Sequence, residues 1–129
     1  MTLTSEQALD IARQFHDLST AVGDYRFGHW DELTKEQRDK LKDAQIMLLN
    51  HSSHMVTEAV GLVLDDAQGG LDALTKTTAK AQKVLATIAD IKQGIEIVAS
   101  LVKLSAAIAS ENPAAIASAV EETAGIMAG

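Results

Sequence analysis

Cysteine is missing altogether from these 129 residues. Disulfides, thiolate zinc centres and thiol nucleophiles are thereby excluded, and the composition fits a reducing compartment. Proline occurs once, and the aromatic residues amount to two Phe, one Tyr and one Trp. So few β-branched and aromatic alternations, beside abundant Ala, Leu, Lys, Glu and Gln, leave little material for a sheet and predict an all-α fold. Positive charge is also scarce. With 11 basic against 18 acidic residues the net charge is −7, which repels a phosphate backbone, so no nucleic-acid partner is expected. The opening MTLTSEQALD has neither a basic nor an apolar leader region, and cytoplasmic residence is the expectation. At this length one core and a single domain over 1–129 are expected, burying roughly two thirds of the unfolded surface.

What is present is helical punctuation. Thr4-Ser5-Glu6-Gln7 has capping-box spacing, and Leu9, Ala12, Phe15, Ser19 and Val22 follow at three- or four-residue intervals until Gly23. A second box, Thr34-Lys35-Glu36-Gln37, opens a longer run in which Leu41, Leu48, Met55 and Leu62 recur every seven residues, as in a coiled coil. Asp65-Asp66 and Gly69-Gly70 mark a turn, after which Leu71, Leu74, Thr78, Ala81, Leu85 and Ile88 keep near-heptad spacing. Asn112 and Pro113 are suited to cap and start a last helix. The pattern predicts helices over 5–23, 34–66, 71–109 and 113–127: a bundle built on a long antiparallel αα-hairpin, with an N-terminal helix and a short apolar C-terminal helix.

From Ile91 onward Ile, Val, Leu and Ala dominate, and Lys92, Glu96 and Lys103 form a narrow polar stripe within about 40° on a helical wheel. A lone bundle with few aromatics has difficulty covering Ile91, Ile95, Ile97, Val98, Leu101, Val102, Leu104 and Ile108, so a homo-oligomer is expected. Ile95, Val98, Leu101, Val102 and Ile108 are its candidate contacts. The alternative is a membrane-inserting hairpin over 91–127, its Ala, Ser and Gly allowing close helix approach. Against it, the run from Ile97 to Ala109 contains Lys103 and is shorter than the ~20 residues of a bilayer span.

Chemistry-bearing constellations are sparse. His51, His54 and Glu58 project within about 60° of one another on the second helix and form a weak candidate for metal ligation. A solvated polar face, or a face hydrogen-bonded to the first helix, explains them better. Lys76, Lys80 and Lys83 form a basic stripe facing the acids of the second helix, too small for a polyanion site. No Gly-rich phosphate loop occurs, and the hydroxyl-rich runs lack a neighbouring base. No cofactor and no enzymatic activity are expected.

The segment YRFGHWDEL, residues 25–33, gathers three of the aromatic side chains. Read as an extended loop across the bundle end, it predicts a plug with Phe27 and Trp30 buried and Arg26 and His29 exposed. Its functional reading is a protein-binding loop carried by Tyr25, Arg26, Phe27 and Trp30, since Tyr, Trp and Arg are enriched at binding hot spots. The function expected from the sequence is therefore association: a non-enzymatic helical interaction or assembly protein, self-associating through its apolar C-terminal third.

Overall fold

The computed structural model describes residues 3–55 and 70–128 in full, and the backbone from 56 to 58. Among the described residues the elements are α1 (Ser5–Gly28), a 3₁₀ turn (Trp30–Glu32), α2 (Lys35–Glu58), α3 (Gly70–Thr87), α4 (Ile91–Ala109) and α5 (Pro113–Ala128), with no strand. The chain is all-α. The expected continuation of α2 to 66, Leu62 and the turn through Asp65, Asp66 and Gly69 lie outside the described residues.

The helix starts are held as their sequences imply. Thr4 accepts a hydrogen bond from the Gln7 amide at 3.1 Å, while its own N–H donates to the Gln7 side chain at 2.9 Å. Thr34 and Gln37 repeat this reciprocal pair at the same distances, and Asn112 accepts from the Ala115 amide at 3.1 Å. Each satisfies amides that a helix N-terminus otherwise leaves without partners.

Two helix ends differ from the sequence expectation. Gly23 does not stop α1, which continues to Gly28. Gly23 is buried where the Gln45 side chain of α2 crosses it, so it serves close approach rather than termination. The expected single helix over 71–109 is two helices, broken at residues 88–90. Asp90, in extended conformation, caps α4 by accepting from the Gln93 amide at 3.1 Å. The break has a packing cause. The buried seam of α3 includes Leu74, Thr78, Ala81 and Leu85, and a heptad continued from Thr78 and Leu85 would bring Lys92 into the core. Restarting at Asp90 rephases the seam onto Ile97, Val98, Leu101, Leu104 and Ile108.

The helices close a ring in the order α2, α1, α3, α5, α4 and back to α2. Here α1 stands between α2 and α3, while α4, the second half of the helix expected over 71–109, packs on α2; the turn of the expected hairpin lies outside the described residues. The short connections build α1–α2 and α4–α5. Ser52 donates to the Ala12 carbonyl at 2.8 Å while Gln45 crosses Gly23, so α1 and α2 run antiparallel. The Gln93 side chain reaches the Ile126 carbonyl and Lys103 meets Glu122 at 3.1 Å, which sets α4 against α5 in the same way.

Phe15, Ile11, Leu18, Leu41, Leu48, Met55, Leu74, Ile97, Leu101, Leu104 and Ile108 are fully buried at the centre. The heptad residues Leu41, Leu48 and Met55 are thus core, as their spacing implies. In α1 the buried stripe runs through Ala8, Ile11, Phe15, Leu18 and Val22, with Leu9 left exposed. The expected shortage of cover over α4 is also corrected. Ile97, Val98, Leu101, Leu104 and Ile108 are buried within one chain, and only Ile91, Ile95 and Val102 remain half-buried.

Candidate functional site

Because α1 carries on to Gly28, residues 25–28 obey helical rather than extended geometry. Positions 25 and 27 then stand about 200° apart at 100° per residue. Tyr25 turns inward, 3% exposed, with its hydroxyl 3.5 Å from the Ile91 carbonyl and its ring 4.5 Å from that of His29. Burial pushes the Tyr25 phenol above its ordinary value, and the charges of Asp90 and Glu32 add to the effect. Tyr25 is therefore the plug. Phe27 is 66% exposed and Trp30 38%, which overturns the expectation that both are buried. Arg26 and His29, expected to be exposed, are half-buried.

Phe27 and Trp30 stack with ring centroids 5.8 Å apart and planes 8° from parallel. The Arg26 guanidinium lies 4.8 Å from the Trp30 centroid and 5.3 Å from that of Phe27, while Arg38 of α2 lies 4.6 Å from Trp30. Arg26 Nε donates to the Arg38 carbonyl at 3.0 Å, and Arg38 Nε to the Trp30 carbonyl at 2.8 Å. Carbonyl bonds and cation–π contacts thus hold both arginines in place at the α1–α2 corner.

A second surface lies between α2 and α4. A groove of about 290 Å³ is lined by Leu41, Ala44, Met47, Ile95, Val98, Ala99 and Val102, with Lys40 and Asp43 as its charged members. Met47 is 48% exposed, and Ile46 and Leu49 beside it on α2 are exposed as well. Of the oligomer contacts expected from the sequence, Ile95 and Val102 reach this surface, whereas Val98 is all but buried at its floor and Leu101 and Ile108 belong to the core. Sequence reasoning passed over Ile46, Met47 and Leu49. The signal was available, since four consecutive apolar residues, Ile46 to Leu49, sweep about 300° of the wheel and cannot all be buried on one stripe.

The His51, His54 and Glu58 constellation is divided. His51 is half-buried, and its Nδ1 lies 2.6 Å from Ser105 Oγ of α4. Since that hydroxyl donates to the Val102 carbonyl at 2.8 Å, it accepts from His51. His51 is thus tied to α4 and not to the first helix. Burial, with neighbouring His54, holds its imidazole below the ordinary range. His54 is exposed, and the Glu58 side chain lies outside the described residues. Among the described residues no group of three or more His, Asp or Glu side chains is placed to hold a metal ion.

Lys76, Lys80 and Lys83 are exposed on α3, and with α1 interposed they do not face the acids of α2. An open cleft of about 480 Å³ between α1 and α3 is lined in part by Asp17, Asp24, Tyr25, His29 and Gln82. Among the described residues, buried polar side-chain atoms all have hydrogen-bond partners, so none is left aimed into it. No helix among the described residues is long and apolar enough to cross a membrane. Compared with family models, curated proteins and solved structures, the chain shows no match.

Proposed function

We propose that this chain is a non-enzymatic helical assembly protein that pairs with a second copy of itself across the α2–α4 face. The observation that carries the reading is the groove in which half-exposed Met47 stands with half-buried Ile95 and Val102 around Ala99. Methionine adapts to an opposing surface at little cost in strain, and small Ala99 permits close approach of a partner helix. Lys40 and Asp43, of opposite sign in the same groove, suit a two-fold arrangement in which each meets its counterpart. Two chains of net charge −7 repel one another at long range, so added salt strengthens this association by screening.

The chain has no cysteine, which makes site-directed cross-linking direct. Ala99→Cys joined by a short bis-maleimide gives a covalent dimer, whereas Lys76→Cys, exposed on α3, gives little. Equal yields from the two positions would refute the α2–α4 face as the contact.

A further inference from the structure

We propose that the corner formed by Arg26, Phe27, Trp30 and Arg38 docks a segment of another protein that presents a carboxylate beside an aromatic or aliphatic side chain. The site is separate from the α2–α4 groove and does not depend on self-association there. Its first support is the exposed stack itself. Phe27, at 66%, is the most exposed of the large apolar side chains among the described residues, and its ring is held parallel to Trp30 rather than folded against the core. A rigid aromatic face offered to solvent supplies contact area at low cost in lost side-chain freedom.

The second support is charge. Arg13 pairs with Asp10, Lys40 with Glu36 and Lys103 with Glu122, yet no ion pair among the described residues includes Arg26 or Arg38. In a chain with seven more acids than bases, these two guanidiniums are held by rings and carbonyls instead. The η nitrogens of Arg26 have no protein acceptor among the described residues. Such a guanidinium is already oriented for a charge-assisted hydrogen bond to an incoming carboxylate.

The occupant is a peptide rather than a nucleic acid. Asp24, Asp31, Glu32, Glu36 and Asp39 occupy the same stretch of chain and repel a continuous phosphate backbone. They tolerate a single carboxylate delivered between the arginines, and Glu32 is already engaged with His29. The partner segment is thus short, acidic and apolar together.

Panning a random dodecapeptide display library on the purified protein tests this. The enriched sequences carry Asp or Glu beside Phe, Tyr, Trp or Leu. A synthetic copy of the most enriched sequence changes the emission of Trp30, the sole tryptophan of the chain. Its affinity falls roughly tenfold or more in Arg38→Gln, in Phe27→Ala and in high salt, as expected when a desolvated charge-assisted contact or a hot-spot ring is lost. Lys76→Ala leaves it unchanged. Should a substitution disturb folding, as circular dichroism would show, the peptide with Gln and Asn in place of Glu and Asp gives the same comparison on the intact protein. Enrichment without acidic residues, no enrichment, equal binding of the acidic and amide peptides, or tighter binding of oligothymidylate would each overturn the proposal.

Discussion

A methyl group added at Gly94 would overlap the buried ring of Tyr25, 2.6 Å from its Cζ atom, whereas the nearest atoms to one added at Gly23 are those at the end of the Gln45 side chain. Both glycines lie inside helices, where alanine is favoured by up to about 1 kcal/mol. At Gly23 the flexible amide can swing aside, so Gly23→Ala leaves stability within about 0.5 kcal/mol or raises it. At Gly94 the ring is fixed between α1 and α4, so Gly94→Ala costs about 1–3 kcal/mol as overpacking does. Urea titrations followed by circular dichroism check both changes, and equal effects would remove the distinction between the two contacts. The same ring explains why the aromatic cluster was half legible. Its composition marked the segment as special, but which rings face inward depends on whether residues 25–28 are helical. Gly23 made them look extended, and helical geometry exchanged the roles of Tyr25 and Phe27.

Helix ends were legible wherever a cap stood beside a visible interruption, as at Thr4, Thr34 and Asn112. Asp90 was missed because apolar residues continue on both sides of it, and the cap spacing to Gln93 is a weak signal inside such a run. The α4–α5 turn shows what a sequence does not reveal even where the boundary is clear. Glu111 has φ 56°, and the amides of Glu111 and Asn112 return to the carbonyls of Ile108 and Ala107 at 3.0 and 3.2 Å. This is a Schellman closure with glutamate in the left-handed position usually given to glycine. Glu111→Gly therefore stabilises the protein by roughly 0.5–1 kcal/mol by removing a Cβ penalty. Asn112→Ala costs about 1 kcal/mol through loss of the α5 cap. Thermal unfolding of the pair checks the signs, and a destabilising glycine at 111 would contradict the strain argument.

Across the whole molecule, the all-α class and much of the core followed from composition and period, but the order of helices around the ring did not. Nothing local says that α1 lies between α2 and α3, because that order is set by which seams match in three dimensions. One consequence of the observed order is the His51–Ser105 link between α2 and α4. The unfolded chain protonates His51 near pH 6.5, while the folded protein resists protonation to lower pH because the ring is partly buried. As pH falls below about 6.5 the unfolded state takes up a proton that the folded state refuses, so stability declines until the lower folded value is passed. It is fully present above that window. His51→Gln flattens this part of the stability–pH profile, and an unchanged slope would place its cause elsewhere.

The ring also buries most of the apolar α4 residues within one chain, so association rests on the narrower surface around Met47, Ile95, Ala99 and Val102. Light scattering of the purified protein at increasing concentration and salt measures this most directly. The mass is expected to approach twice the 13.7 kDa of the single chain and to return to the single-chain value in Val102→Glu with helicity retained. A mass that stays at one chain throughout, at high concentration and high salt, would contradict it.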